Sequence, residues 1–187
     1  MSRIAPVGIG DAEPEARAEL ERQLAAHGRV TNMKRTLGHS ATALHALMTF
    51  YPLQDRVVPF LGARATTLFA HAISAKTDCL ICSTFFRRIL IESGEDPEAL
   101  VLDEREQVVV EYGVQLVRDP NAVSDSLYGR LEAFLTPTQI VDLTAFGALM
   151  IATNVFNNAL RVDLDAYLEP YVGPDTDGAT ARQHLPR

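Results

Sequence analysis

Apolar residues recur at helical spacing along most of this 187-residue chain. Leu44, Leu47, Met48 and Tyr51 follow the i, i+3, i+4, i+7 pattern of one helix face, and similar patterns recur between residues 57 and 160. No segment shows the sustained apolar–polar alternation of a strand bounded by turn residues. The pattern predicts an all-α fold, a bundle of about six to eight helices.

Start and stop signals divide the chain into helical segments. Asp11 is a candidate N-cap and Gly28 a C-terminal stop, and Thr136, which precedes a proline, marks another start. Pro52 is expected to end the helix that Ser40 caps. The predicted helices cover about residues 12–27, 31–37, 40–51, 57–75, 79–93, 103–119, 124–134 and 136–160.

The length and composition favour one globular domain with a short tail. Hydrophobic residues make up 47% of the chain, which is enough for a core, and the length suits one domain. Residues 171–187 are rich in Gly, Pro, Asp and Thr and lack apolar periodicity. We expect a single helical domain over residues 1–170 and a flexible tail over residues 171–187.

The chain is acidic, with a net charge of −7 and an isoelectric point near 5.2. This charge argues against nucleic-acid binding, which needs a basic surface, and against an anionic membrane surface. No apolar run approaches the ~20 residues of a bilayer-spanning helix, and residues 1–15 lack the apolar core of a signal peptide. We therefore expect a cytoplasmic protein, in a reducing compartment, without nucleic-acid or membrane partners.

The two cysteines of the chain, Cys79 and Cys82, form one CxxC pair at the start of a predicted helix. Two thiols three residues apart share a helix face and can close a disulfide ring. The partial positive charge at a helix N-terminus favours a thiolate there. A closed zinc site needs four ligands and one pair supplies two, so we expect neither a metal nor a cofactor. The alternatives are a redox dithiol, a structural pair and a metal site. A CxxC pair in a reducing compartment favours the redox dithiol.

Beyond the cysteine pair, the order of several local segments resembles the carboxymuconolactone decarboxylase and alkylhydroperoxidase D superfamily. The resemblance covers residues 31–168. It rests on the CxxC pair with the two residues before it and on the segments 32–40, 103–107, 116–120 and 151–160. It implies an AhpD-like helical bundle with a peroxidase-related activity. It also implies self-association as a homo-oligomer, a dimer, trimer or hexamer.

In the peroxidase branch of that superfamily, a proton relay of one glutamate and two histidines accompanies the cysteines. The corresponding positions here hold Thr67, Ile81 and Phe86, and none of these side chains transfers protons well. The resemblance implies that Cys82 attacks a small-molecule hydroperoxide and that Cys79 then closes the disulfide, with an external dithiol as electron donor. The missing relay implies weaker activity, a different relay or a different substrate.

His71 is the histidine closest in sequence to the thiols, eight residues before Cys79. It is the candidate replacement for the missing base, and the alternative is a hydrogen-bonded histidine at a helix or subunit interface. The candidate catalytic residues are therefore Cys79, Cys82 and His71.

Two other functions fit the same sequence. A decarboxylase-like enzyme would act without redox chemistry on a small acidic substrate, with His71 for proton transfer and Arg64 or Arg88 as the carboxylate anchor. For Arg88, an ion pair with Glu92 or Glu95 is the simpler explanation. A non-catalytic oligomeric protein is the third alternative.

Asparagines form a polar face on the otherwise apolar helix predicted over residues 136–160. They are Asn154, Asn157 and Asn158. Because buried amides in a core are usually hydrogen-bonded, this face predicts a hydrogen-bond network between helices.

Overall fold

A computed structural model of the chain describes residues 1–173. This part contains nine α-helices, three 3₁₀ segments and no strand. The helices are α1 (Pro14–His27), α2 (Asn32–Leu37), α3 (Ala41–Met48), α4 (Phe50–Leu61), α5 (Ala63–Lys76), α6 (Leu80–Glu92), α7 (Glu104–Arg118), α8 (Asp125–Glu132) and α9 (Pro137–Leu160). The 3₁₀ segments are Ile9–Asp11, Pro120–Ala122 and Ala166–Tyr171. The predicted all-α fold is confirmed.

Helix α5 lies at the centre of the bundle and packs against α4, α6, α7 and α9. Phe69 of α5 and Phe146 of α9 are fully buried, with ring centroids 6.1 Å apart. Gly113 and Gly147 let α7 and α9 approach the same ring, since a Cβ atom at Gly147 would lie 2.9 Å from Phe69 Cζ. Burial of a phenylalanine stabilises a fold by about 1.5–3 kcal/mol, so three helices are held together around Phe69.

The buried apolar residues form two clusters. The larger cluster contains residues from each of the helices α4, α5, α6, α7, α8 and α9, and it includes both cysteines. The smaller cluster lies between α1, α2 and α3 and consists of Ala12, Ala16, Leu20, Leu37, Leu44 and Met48. Met33 and Phe156 pack against both clusters. The two clusters therefore meet beside α2.

Polar side chains cap five helices at the positions that the sequence predicted. Each accepts a backbone N–H of the first helical turn, and two of them also form a capping box. A cap of this kind stabilises a helix by about 1 kcal/mol because first-turn N–H groups have no helical acceptor. The caps are Thr31, Ser40, Asp103, Ser124 and Thr136.

Two breaks differ from the prediction. Pro52 does not end a helix: α3 ends at Met48, and Pro52 lies in the first turn of α4. A proline fits there because first-turn nitrogens need no helical acceptor. The helix predicted over residues 57–75 is divided at Gly62, whose φ of +87° is incompatible with a continuous helix. Three helices therefore replace two between residues 41 and 76, and the described part has nine rather than six to eight.

Helix α9 has 24 residues, and its most apolar window reaches a mean hydropathy of 1.4. By length and composition it is the one helix of the described chain that is suited to cross a membrane. It contacts α3, α4, α5, α7 and α8 and places Asn154 and Asn157 in the interior. Core helices of soluble proteins have the same character. Its polar residues divide the apolar run, which is why the sequence predicted no spanning segment.

Both ends of the described chain are tied to the bundle. The backbone N–H of Arg3 donates to the Leu160 carbonyl oxygen at 2.9 Å. Tyr171, placed by the sequence in the flexible tail, ends the last 3₁₀ segment, and its hydroxyl donates to Glu92 at 3.0 Å. The predicted tail from residue 174 onward lies outside the described residues.

Candidate active site: a dithiol beside an apolar cavity

The two cysteines lie at a sharp connection between α5 and α6. Helix α5 ends at Lys76, and Asp78 adopts the left-handed conformation with a φ of +52°. Cys79 then takes the N-cap position of α6, and Cys82 lies one turn inside the helix. The cysteines are reduced and lie 3.6 Å apart. The CxxC spacing thus brings the two thiols together at a helix N-terminus, as predicted.

Two amides of α9 hold this connection in place. Asn154 Nδ2 donates to Thr77 Oγ1 at 2.8 Å, and Asn158 Nδ2 donates to the Thr77 carbonyl oxygen at 2.9 Å. Asn154 is fully buried. The hydrogen-bond network predicted from the asparagines is therefore present, and it fixes the residue two positions before the first cysteine.

The third asparagine, Asn157, points to sulfur atoms. Its Nδ2 lies 3.3 Å from Cys82 Sγ, 3.9 Å from Cys79 Sγ and 3.6 Å from Met33 Sδ. The residue is 2% exposed. A donor strengthens its hydrogen bond when the acceptor becomes charged. The Asn157 amide therefore stabilises a thiolate more than a thiol.

The adjacent thiols have different acidities. The pKa of Cys79 is lowered, against the effect of burial, mainly because the Cys82 thiol donates to its sulfur. The N–H groups of Cys82 and Ile81 and the Asn157 amide lower it further, although the backbone groups do not make a full N-cap hydrogen bond. The pKa of Cys82 is raised by its hydrogen bond to Cys79, by burial and by the charge of Cys79. The pair therefore loses its first proton as a unit, and Cys79 holds most of the resulting charge.

A partly enclosed cavity of about 160 Å³ lies next to the pair. Cys82 lines it and is 7% exposed, whereas Cys79 is 1% exposed and lies behind it. A molecule in the cavity therefore meets Cys82 first. The walls are largely apolar and include Met33, Phe50, Phe85, Phe86, Met150 and Leu168.

Titratable side chains also line the cavity, among them Lys34, Tyr51 and Asp165. Lys34 Nζ donates to Gln23 Oε1 at 2.7 Å and lies 4.9 Å from the centroid of the Tyr51 ring. Burial lowers the pKa of Lys34 to about 8 and raises the pKa of Tyr51 to about 12. At neutral pH the cavity lining therefore contains a buried ammonium group and a neutral phenol.

The three positions of the missing relay carry no proton-transfer group. Thr67 Oγ1 donates to the Ala63 carbonyl oxygen of its own helix at 2.9 Å. Ile81 and Phe86 are part of the cavity wall. These positions therefore shape the helix and the cavity instead of moving protons.

His71 lies half-buried on α5 and is not among the described residues that line the cavity. Burial and the nearby Arg87 lower the pKa of His71, and Glu98 partly opposes them. Arg87 and Glu98 form an ion pair. The structure thus places His71 near this pair, and a catalytic role for His71 stays a prediction.

The two candidate anchor arginines are both engaged elsewhere. Arg64 Nε donates to Glu95 at 2.5 Å, and the same guanidinium pairs with Glu106. Arg88 pairs with Glu92 at 2.6 Å, as expected. Neither arginine is among the described residues that line the cavity, where Lys34 is the cation.

Sequence reasoning missed three side chains of this site. Asn157 was assigned only to helix packing, although its spacing from the buried Asn154 is a signal that could have connected it to the site. Lys34 and Asp165 carry no local signal, because packing brings the two distant segments together at the cavity.

The site offers thiol–thiolate chemistry, an amide donor for an anion and ionisable groups on an apolar cavity. Within residues 1–173, no group of three or more His, Cys, Asp or Glu side chains is placed to hold a metal ion.

The fold matches solved structures of peroxidase-related proteins. One is the alkylhydroperoxidase AhpD core of an uncharacterized peroxidase-related protein from Ralstonia eutropha JMP134, with a TM-score of 0.71 and 16% identity over 89% of this chain and 94% of that chain. Another is an uncharacterized peroxidase-related protein from Silicibacter sp. TM1040, with a TM-score of 0.66 and 14% identity over 88% and 93%. The sequence matches no protein-family profile and no curated protein. At these identities the likeness establishes the AhpD-like fold, as predicted.

Proposed function

We propose that this AhpD-like chain is a dithiol oxidoreductase that reduces hydroperoxides through Cys82 and Cys79. The observation that carries the proposal is the arrangement of the pair: one thiol lines a cavity, the second lies 3.6 Å away behind it, and a buried amide donates to both. A pair kept only for packing requires neither the cavity nor the donor.

The reaction starts when the Cys82 thiolate attacks the terminal oxygen of a hydroperoxide. An S–O bond forms, the O–O bond breaks, and the alkoxide leaves as an alcohol after taking a proton. Cys79 then attacks Cys82 Sγ, and hydroxide leaves as water with a second proton. The pair has lost two electrons and is a disulfide, which an external dithiol donor reduces.

The different pKa values of Cys79 and Cys82 fit their roles, in which Cys82 attacks the hydroperoxide and Cys79 closes the disulfide. Once the pair has lost its first proton, the negative charge lies mainly on Cys79, and the Cys82 thiol donates to it. Transfer of that proton to Cys79 places the thiolate on Cys82, where the Asn157 amide is closer. Cys79 thus serves as a local base in place of the missing relay, and we expect slower reduction than with a dedicated base.

The cavity favours an organic hydroperoxide over hydrogen peroxide. Its phenylalanine, methionine and leucine walls remove an alkyl or aryl group from water, which contributes about 0.8 kcal/mol for each buried CH₂ group. Hydrogen peroxide has no such group. The substrate class is therefore small hydroperoxides with an apolar body.

The test mixes reduced protein with a limiting amount of cumene hydroperoxide and maps the products by mass spectrometry. We expect one Cys79–Cys82 disulfide for each peroxide consumed, and a faster reaction than with hydrogen peroxide. Cys79→Ser stops at a Cys82 sulfenic acid that dimedone traps. Cys82→Ser leaves Cys79 unreacted, because that sulfur lies behind the cavity.

The two serine variants are matched controls, since each removes one thiol of the same pair. Equal loss of reaction in both, without a trapped sulfenic acid, contradicts the assigned roles. Two thiols that stay reduced with peroxide and resist a small alkylating reagent make the pair structural and favour a non-catalytic oligomeric protein.

Turnover requires a partner that returns electrons to the disulfide. We propose a dithiol donor, because two thiols on one molecule reduce a small-ring disulfide without leaving a mixed disulfide behind. A reducing compartment such as the cytoplasm would sustain this cycle. Dihydrolipoamide is a suitable first probe, and reduced glutathione is the monothiol control.

One observation favours a second function, the cofactor-free decarboxylation of a small acidic substrate. Lys34 places a buried ammonium group on the cavity lining, where it can bind a carboxylate. This activity would survive replacement of both cysteines by serine and would be lost in Lys34→Met. Hydroperoxide reduction would instead be lost when both cysteines are replaced. The double serine variant and Lys34→Met therefore distinguish the two functions.

A further inference from the structure

Asp165 has a carboxylate oxygen that the packing of the described chain leaves without a partner. Asp165 lines the same cavity as Cys82. Its Oδ2 is inaccessible to solvent and accepts no hydrogen bond from the described residues. A buried carboxylate oxygen without a donor is costly, and the contacts of the described residues do not account for this oxygen.

The other oxygen of Asp165 fixes its position. Oδ1 accepts the backbone N–H of Asn32 at 2.9 Å. The next residue, Met33, has its Sδ 3.6 Å from the Asn157 amide that donates to Cys82. The Asp165 carboxyl group is therefore held beside Asn32 at the start of α2, and the next residue of that helix contacts the amide donor of the thiols.

The charges around Asp165 come from several elements. Burial raises the pKa of Asp165, while the Asn32 N–H and the charges of Arg29, Arg35 and Lys34 lower it, and the effect of burial prevails. Tyr167 is a further titratable neighbour. The carboxyl group thus holds a proton more readily than an exposed aspartate, which is what a proton donor needs.

We propose that Asp165 is the proton donor to the leaving oxygen when Cys82 reduces a hydroperoxide. This inference rests on the proposed function. The geometric basis is that Asp165 and the attacking Cys82 line one cavity, and that one oxygen of the Asp165 carboxyl group has no partner among the described residues.

The Cys82 thiolate and the Asp165 carboxylic acid act on the two oxygens of the hydroperoxide. Cys82 Sγ forms a bond to the terminal oxygen, the O–O bond breaks, and the inner oxygen takes the proton of Asp165. The products are a Cys82 sulfenic acid, an alcohol and the Asp165 carboxylate, which regains a proton from water that reaches the cavity once the alcohol has left.

The test compares leaving groups in Asp165→Asn, which keeps an oxygen for Asn32 but cannot donate an acid proton. With cumene hydroperoxide the leaving alkoxide is strongly basic and needs the proton, so single-turnover oxidation of Cys82 should slow at least about tenfold. With peracetic acid the leaving acetate needs no proton, so the rate should stay within about twofold of the unmodified protein. A far-UV circular dichroism spectrum shows separately that the variant is folded, since peracetic acid would also oxidise the thiols of an unfolded chain.

Asp163→Asn is the matched control, because Asp163 lies two residues earlier, pairs with the N-terminus and is not among the described lining residues. It should react normally with both oxidants. Equal slowing of Asp165→Asn with both oxidants overturns proton donation and leaves a positioning role, and an unchanged rate with cumene hydroperoxide also overturns it. If the unmodified protein forms no disulfide with any hydroperoxide, the proposed function itself fails and this inference fails with it.

Discussion

The Asn157 side chain is surrounded by three sulfur atoms and donates toward all of them from one Nδ2. Its neighbour Asn154, one helical turn earlier, donates to hydroxyl groups instead. Two chemically identical buried amides on α9 therefore serve different acceptors. The chemical consequence of Asn157 is the acidity of the thiols, and that of Asn154 is the position of the backbone.

Replacing Asn157 by alanine should weaken the dithiol as a nucleophile. The Asn157 amide lowers the pKa of both Cys79 and Cys82, so its removal raises both pKa values and reduces the thiolate population at neutral pH. A hydrogen bond to a charged group is worth about 1.5–3 kcal/mol, which predicts at least about tenfold slower alkylation by iodoacetamide at pH 7. The measurement is the alkylation rate between pH 6 and 10.

Asn154→Ala is the control for that experiment. It removes an equally buried amide of the same helix and should lower stability while leaving the pH midpoint of alkylation in place. A midpoint that moves equally in both variants would show that general loosening of α9, and not donation to sulfur, controls the thiols.

Lys34 predicts a specific pH dependence of stability. Burial lowers the pKa of Lys34 from 10.5 to about 8 in the folded protein. Between these two values the unfolded chain binds more protons at this site, so Lys34 makes the folded state more stable as the pH rises through the window. The difference between the free energy of unfolding of the unmodified protein and that of Lys34→Met should therefore increase between pH 7 and 9.5, by on the order of 1 kcal/mol. A constant difference in urea titrations would contradict this burial of the charge.

Among the secondary-structure elements, the short connection between α5 and α6 sets the geometry of the thiols. Thr77 is bound on both its hydroxyl and its carbonyl by asparagines of α9. The left-handed Asp78 then turns the chain so that Cys79 starts the next helix. The distance between the two sulfurs and the cavity thus depends on how firmly α9 holds this connection.

Thr77→Val should loosen that connection. It leaves the buried Nδ2 of Asn154 with only the longer contact to Ser74 at 3.4 Å, and we expect a loss of about 1 kcal/mol in the free energy of unfolding. Amide hydrogen exchange of the first turn of α6 should become faster. Thr67→Val is the control, because Thr67 donates to a carbonyl of its own helix. Equal effects of the two substitutions would contradict a special role of this connection.

Local signals explain which elements the sequence predicted. Caps such as Thr31 and Ser40 act within one turn, so the start of a helix can be found without knowledge of the fold. The break at Gly62 was missed because the residues on both sides continue the helical apolar pattern. Pro52 was misplaced because a proline signals either the end of a helix or its first turn.

The same distinction holds for the candidate site. The proximity of Cys79 and Cys82 follows from their spacing on one helix. The meeting of Lys34, Asp165 and Cys82 depends on how α2, α6 and the start of the last 3₁₀ segment come together around one cavity. No local pattern encodes such a meeting, so these residues become visible only in the folded chain.

At the scale of the whole molecule, one exposed face of α9 is apolar. The exposed residues of this face recur at alternating spacings of four and three residues. This spacing is typical of the seam along which one helix packs against another. They are Val141, Ala145, Ala148, Ala152 and Val155. Val141 and Val155 are 65% and 58% exposed. This face fits the homo-oligomer that the sequence resemblance implies.

We expect the protein to self-associate through this face. Light scattering after size exclusion should give a mass of at least two chains, and the double substitution Val141→Lys and Val155→Lys should lower it toward one chain. Val101→Lys, at an apolar residue exposed outside α9, is the control and should keep the mass. A monomeric unmodified protein would contradict the expectation.

The cavity lies where the two apolar clusters meet, so its two sides belong to different parts of the chain. The sulfurs and their donor come from α6 and α9, while Met33, Lys34, Leu47 and Met48 come from α2 and α3. Substitutions at Leu47 and Met48 of α3 change which molecules fit without removing a contact of the thiols or of their amide donor. In evolutionary terms, such a chain can acquire a new substrate through substitutions in α3, while selection on α6 and α9 keeps its reaction chemistry constant.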